Sequence, residues 1–185
     1  MSFVYDPENP VPSQGGKLLM NYRENIGVPE CTVIQPEIGE RADVVSFISE
    51  KIEQDLKIRG RSRICLSVCS DAEDTSFTAK LCELREDGYA LNICDGICTL
   101  RHRQSDSTIL EYIPGEKVKL DFMLPPAGWT IKPGSKLRLD ISSSNFPAFN
   151  RHPNTKKPWI MEDSPIKARQ TICLDGDSWI ELPEE

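Results

Sequence analysis

The sequence predicts an all-β domain, a β-sandwich of jelly-roll type, and three observations carry that reading. About ten short segments alternate apolar and polar residues with the period of two that a half-buried strand requires. Fourteen prolines and eleven glycines punctuate the 185 residues in a way that favours short strands and turns. No stretch joins helical periodicity to helix caps. Long loops between the segments suit a jelly roll, which closes two packed sheets with crossing connections.

Taken in order, residues 1–16 hold Pro7, Pro10 and Pro12, which keep the chain extended, and Gly15 with Gly16, which let it turn. They read as a strap outside the core. Residues 17–42 keep no period and read as an irregular, partly packed connection, so residues 1–42 are expected to lie on a sandwich formed by 43–185, one domain in all. Residues 44–49 are β-branched and aromatic; Ile52, Leu56 and Ile58, then Ile64, Leu66 and Val68, each share a parity. Phe77, Ala79 and Leu81 lead to Asp87-Gly88, and Tyr89, Leu91 and Ile93 to Asp95-Gly96, both read as hairpin turns. Val118 to Leu124 and Trp129 to Lys132 follow. The pivotal stretch is Lys136 to Arg151: Leu137, Leu139 and Ile141 alternate with Arg138, Asp140 and Ser142, which predicts one buried and one wet face. A turn of small polar residues, Ser142 to Asn145, then ends the strand, and Phe146 and Phe149 are expected to need apolar cover. Residues 168–174 and 179–182 close the sandwich around Asp175-Gly176.

The 22 basic and 29 acidic side chains leave a net charge of −7, and no basic stripe is present to grip a phosphate backbone. Nucleic acid is therefore not an expected partner. No run reaches the ~20 apolar residues of a membrane-spanning helix, and the N-terminus has neither a basic head nor an apolar core, so no membrane partner and a cytoplasmic product are expected. Seven cysteines, an odd number, fit free thiols.

Candidate chemistry is sparse. The Gly-Xaa-Ser-Xaa-Gly elbow is absent. His102, on an expected strand, and His152, in a polar loop, read as solvent-side residues, and Ser142 to Ser144 as turn residues. Cys65/Cys69 and Cys94/Cys98 lack the knuckle spacing and second pair of a structural zinc site and read as small hydrophobes. Asp71, Glu73 and Asp74 offer too few oxygens for calcium and fit a self-bonded loop. Trp129, Phe146, Phe149, Trp159 and Trp179 suit either a sugar platform or, more commonly, core edges and interfaces.

Several motifs in order, YDPENPVPSQGG from Tyr5, ERADVVSFIS from Glu40, LKIRG from Leu56, SDAEDTSFTAKL from Ser70, DGYALNICDGI from Asp87, KPGSKLRLDISSSNFPAFNRHPNT from Lys132 and ARQTI from Ala168, resemble the C-terminal jelly-roll domain of CocE/NonD serine hydrolases. Ser135 stands where that pattern often has a histidine, and cysteine is more frequent than in the family. The resemblance implies a galactose-binding-like sandwich packed against an α/β-hydrolase domain that carries the catalytic serine, aspartate and histidine. None of the three maps onto this chain. It further implies hydrolysis of an ester or amide by the whole enzyme, without a cofactor, and an accessory, non-catalytic role for this region. The partner is expected to be an α/β-hydrolase domain or subunit, reached either as the product of a divided gene or within a longer protein, with self-association possible. The docking residues expected are Tyr5, Asp6, Pro7, Asp71, Asp74, Phe77, Asn145, Phe146, Phe149 and Arg151. The competing reading is a free-standing glycan-binding module.

Overall fold

The computed structural model describes residues 1–16, 31–105, 107–157, 159–161 and 164–183. Eleven strands run in chain order among them: β1 (Ser2–Tyr5), β2 (Val45–Ile48), β3 (Leu56–Gly60), β4 (Arg63–Ser70), β5 (Ser76–Leu84), β6 (Ala90–Thr99), β7 (Val118–Met123), β8 (Ala127–Ile131), β9 (Lys136–Ser142), β10 (Ala168–Ile172) and β11 (Trp179–Glu181). Every pairing between them is antiparallel. One sheet is built on β4, which pairs with β7 on one side and with β10 and β11 on the other, while β1 extends the β10 edge. The second sheet has the order β2-β9-β5-β6, and β3 with β8 forms a separate ribbon. The result is the expected jelly-roll β-sandwich.

The alternating pattern places Ile64, Leu66 and Val68 of β4 against Phe77, Leu81 and Ile141 of the facing sheet, all buried in one core with Leu120, Ile131 and Ile172. Each such side chain contributes roughly 1.5–3 kcal/mol when removed from water. Residues 1–5 are not outside this core, as a strap would be. β1 pairs residue for residue with β10, and Phe3 and Tyr5 are buried. A four-residue strand next to three prolines carries too short an alternation to be told from an extended strap.

Three further expectations are corrected. Asp95-Gly96 is not a hairpin turn; both residues lie inside β6, opposite Lys80 and Ala79. The glycine serves packing there, because a Cβ on Gly96 would come within 2.9 Å of Leu124 Cδ2 from the facing sheet. Asp87-Gly88 does turn, with Gly88 at φ +87° and the Gly88 amide on Arg85 O at 3.0 Å. Ile52 precedes β3, and its backbone N–H donates to Ser135 O at 2.9 Å, so the strand begins only at Leu56. His102 lies in a 3-10 turn, Leu100–His102, capped by Thr99, and its Nδ1 is buried without a hydrogen bond.

The predicted wet face of β9 is also not wet. Arg138, Asp140 and Ser142 are buried, because residues 11–14 and 35–41 lie across the outer surface of the β2-β9-β5-β6 sheet. Of the irregular connection expected over residues 17–42, residues 17–30 lie outside the described residues. Its C-terminal part runs along β6, with Gln35 N on Ala90 O at 2.8 Å and Val33 N on Asn92 Oδ1 at 2.8 Å.

Candidate functional site

The polar turn after β9 becomes a loop tied from several directions. Ser76 Oγ donates to Ser143 O at 2.7 Å and Thr78 Oγ1 to Ser144 O at 3.4 Å, so β5 holds its base. Ser144 Oγ accepts from Val11 N at 2.9 Å, which gives this hydroxyl the turn role expected of it. Residues 11–13 then run beside the loop: Phe146 N donates to Val11 O at 2.9 Å, Ser13 N to Phe146 O at 2.7 Å, and Ala148 N to Ser13 Oγ at 3.0 Å. The Phe146-Pro147 peptide is cis. Phe146 is 41% exposed, so it does not find the apolar cover expected of it; instead the Arg151 guanidinium stands 5.4 Å from its ring centroid. Arg151 also donates to Pro7 O at 3.2 Å.

Beneath the loop lies a polar knot. Asp74 Oδ1 accepts from Thr75 N at 3.0 Å and Arg101 N at 3.1 Å, while its Oδ2 stands 3.3 Å from His152 Nε2. His152 Nδ1 accepts from Asn154 N at 3.0 Å, which makes the Nε2–H tautomer the one that faces Asp74. His152 is thus half-buried and paired, not solvent-side. Asn154, at φ +65°, accepts from Thr75 Oγ1 at 2.7 Å and donates to Ile166 O at 2.6 Å. Tyr5 donates to His152 O at 3.1 Å, and burial pushes its phenol well above the usual range. Asp71 receives the Arg169 amide at 2.7 Å, and Lys167 beside Asp6, at 2.8 Å, holds that carboxyl below its ordinary value.

The ten expected docking residues are therefore brought into one region but divided by burial. Asp71, Phe146 and Arg151 are exposed, and Asp6 and Phe149 half-buried. Tyr5, Pro7, Asp74, Phe77 and Asn145 are buried in the chain's own fold, where they set the loop from below. Sequence reasoning missed Asn154 and Asp95, whose carboxylate accepts from Asn145 Nδ2 at 2.7 Å. The positive φ of Asn154 was detectable in principle, since asparagine tolerates that region better than other non-glycine residues.

Both ring nitrogens of His152 are engaged, so it has none with which to activate a hydroxyl. Among the described residues no group of three or more His, Cys, Asp or Glu side chains is placed to hold a metal. None of the seven cysteines is joined in a disulfide, and burial pushes the Cys82 thiol up to about 12, which makes it inert. Trp129 packs against the core and donates to Glu83 Oε2 at 3.0 Å, and Trp179 lies under Arg63, 5.5 Å from its centroid. Trp159 belongs to a short 3-10 helix, and its side chain lies outside the described residues.

Comparison with known proteins agrees with this picture. Residues 11–178 match the model of the X-Pro dipeptidyl-peptidase C-terminal non-catalytic domain. Cocaine esterase of Rhodococcus sp. (strain MB1 Bresler) is 35% identical over 156 residues, which cover 83% of this chain and 26% of that protein. An α-amino acid ester hydrolase superposes with a TM-score of 0.84 at 26% identity, covering 99% of this chain and 32% of the other. An aminopeptidase from a marine sediment Thaumarchaeota archaeon has the same fold, with a TM-score of 0.85 at 22% identity over 99% of this chain and 32% of its own. The chain thus spans between a quarter and a third of the length of these relatives. It belongs to the family of X-Pro dipeptidyl-peptidase C-terminal non-catalytic domains, the β-sandwich module of CocE/NonD-type hydrolases.

Proposed function

We propose that this domain packs on an α/β-hydrolase partner through the face made by Phe146, Phe149, Arg151, Asp71 and Asp6, and there shapes the approach to the partner's active site. The observation that carries the reading is the display of Phe146, an exposed aromatic stacked with Arg151 on a loop held by main-chain bonds to residues 11–13. Aromatic and arginine side chains dominate the energy of protein interfaces, and a loop ordered in advance loses little entropy on docking. Ile166, exposed beside this loop, extends the apolar area. The partner supplies the catalytic serine, aspartate and histidine and hydrolyses an ester or amide through an acyl-enzyme, with no cofactor. This chain supplies surface.

The test is a pull-down from soluble extract of the source cells with the chain as bait, read by mass spectrometry. Recovery of an α/β-hydrolase polypeptide, and its loss with Arg151→Glu, supports the reading. A folded bait that recovers none, and that raises no esterase activity when mixed with the hydrolase portion of a relative, overturns it.

A further inference from the structure

The segment that begins at Cys31 runs along the edge of β6 that β5 leaves open. Gln35 N donates to Ala90 O at 2.8 Å, Ile34 forms an antiparallel bridge with Leu91, and Thr32 Oγ1 donates to Asn92 O at 3.5 Å. In an antiparallel pair each step back along one segment is a step forward along the other, so Cys31 comes to lie across from Cys94. The two cysteines also line one cavity, of about 190 Å³, together with Thr32, Ile93, Pro125 and Pro126.

Their side chains suit this placement. Cys94 stands opposite Leu81 of β5 and packs with it against the core, so it points inward at the edge of the sandwich. Asp95, the one charged residue of the described lining, lies on the other face of the strand and accepts from Asn145. Cys31 is exposed and takes φ +58°, a region that few residues other than glycine, asparagine and aspartate adopt. Two donors to its carbonyl, Gly16 N at 2.7 Å and Asn92 Nδ2 at 2.9 Å, hold it there. An unfavourable backbone conformation kept by such bonds points to a role for the position. Residues directly opposite in an antiparallel pair have Cα atoms about 4.5–5.5 Å apart, inside the span of about 4.4–6.8 Å that a disulfide bridges.

We propose that Cys31 and Cys94 form an oxidisable pair that closes a disulfide by exchange with a small disulfide such as glutathione disulfide. The exposed Cys31, as thiolate, attacks one sulfur of glutathione disulfide, which forms a mixed disulfide and releases one glutathione thiolate. The Cys94 thiolate then attacks the Cys31 sulfur, closing the protein disulfide and releasing the second glutathione thiolate. Two electrons pass from the cysteines to glutathione disulfide, and the two thiol protons go to the departing glutathione thiolates. The link fastens residues 31–35 to β6 and so holds the cover over Asn92 in place. Cys82, across β5 from Asn92, does not compete, because its buried thiol is the inert one.

The full folded chain, incubated with glutathione disulfide, quenched with iodoacetamide and digested with trypsin without reduction, tests the pairing by mass spectrometry. The peptide ending at Arg41 should be joined to the one ending at Arg101, with fragment ions placing the link on Cys94 and not on Cys98. Cys31→Ser should lose this product, and Cys94→Ser should stop at Cys31 carrying one glutathione. The thermal midpoint of the native chain should rise on oxidation by roughly 5–10 °C, because the link closes a long loop. Cys31 joined chiefly to another cysteine, a glutathione adduct that persists on Cys31 of the native chain, a link that forms only in urea, or a midpoint that does not rise overturns the proposal.

Discussion

The outer faces of the two sheets are written in the same alternating pattern and meet opposite fates. On β7 and β4 of the five-stranded sheet, and at Lys117 just before β7, the side chains of Lys117, Lys119, Asp121 and Arg63 point to solvent and pair with Asp175, Asp177 and each other. On β9 of the four-stranded sheet, Arg138 and Asp140 occupy equivalent outward positions but are covered, with Arg138 Nε on Asp140 Oδ1 at 2.8 Å, Arg138 NH1 on Pro36 O at 2.8 Å and Ser46 Oγ on Asp140 Oδ1 at 2.6 Å. Exposed pairs gain little, since water competes for both partners. A covered pair is costly to break because the surviving charge has nowhere to go. Covering a face therefore converts ordinary surface residues into structural ones.

Breaking the covered pair gives the largest expected effect. Arg138→Leu should cost about 3–5 kcal/mol in urea unfolding, because Asp140 is left buried without its cation. The double variant Arg138→Leu/Asp140→Leu should recover much of that loss. A single variant costing no more than Arg63→Leu on the open face would erase the contrast between the two faces.

Asn154→Ala should come next, at about 2 kcal/mol, since it removes the acceptor of the Thr75 hydroxyl and the donor to Ile166 O and puts alanine at a positive φ. Asn154→Gly, which relieves only the backbone, should restore part of the loss. Phe146→Ala should cost less than about 1 kcal/mol in the isolated chain, because the ring is largely in water, while reducing capture of the hydrolase partner at least tenfold. Equal capture by both proteins would move the docking face elsewhere.

The smallest effect sharpens the comparison from the open side. Arg63 beside Asp121 and Lys117 beside Asp175 hold those carboxyls below their ordinary values. A depressed folded-state value adds stability that is present above the unfolded value, near pH 4, and is lost as pH falls through the folded one. Urea midpoints between about pH 5 and pH 2 should therefore fall a little more steeply for the native chain than for Arg63→Gln/Lys117→Gln. Salt at about 0.5 M should narrow the difference, as screening predicts. A gap that salt leaves untouched would mean these pairs are not exposed.

Where sequence reasoning failed, it failed on contacts between segments far apart in the chain. Asp95-Gly96 has the composition of a hairpin turn, and only the nearness of Leu124 shows why a glycine sits inside β6. Phe77 belonged to a motif expected to dock, but its own alternation in β5 already marked it as core. His152 looked free in its loop because its partner, Asp74, comes from the other side of the sandwich sequence. The loop that carries Phe146 was itself legible as a special turn, because proline, small polar residues and two phenylalanines in one run rarely serve a strand.

The amino-acid sequence by itself determined the sandwich, since side chains alternate at a period that backbone geometry imposes on every strand. It also determined the family, through several motifs kept in order over most of the chain. Only the tertiary structure decided which outward faces meet water. That depends on where residues 11–14 and 35–41 are laid, and the same Arg-Xaa-Asp pattern is compatible with solvent or with burial until another segment covers it. The same covering left Ser142 Oγ and Asn145 Oδ1 buried without a hydrogen bond, a consequence of packing that no local pattern encodes.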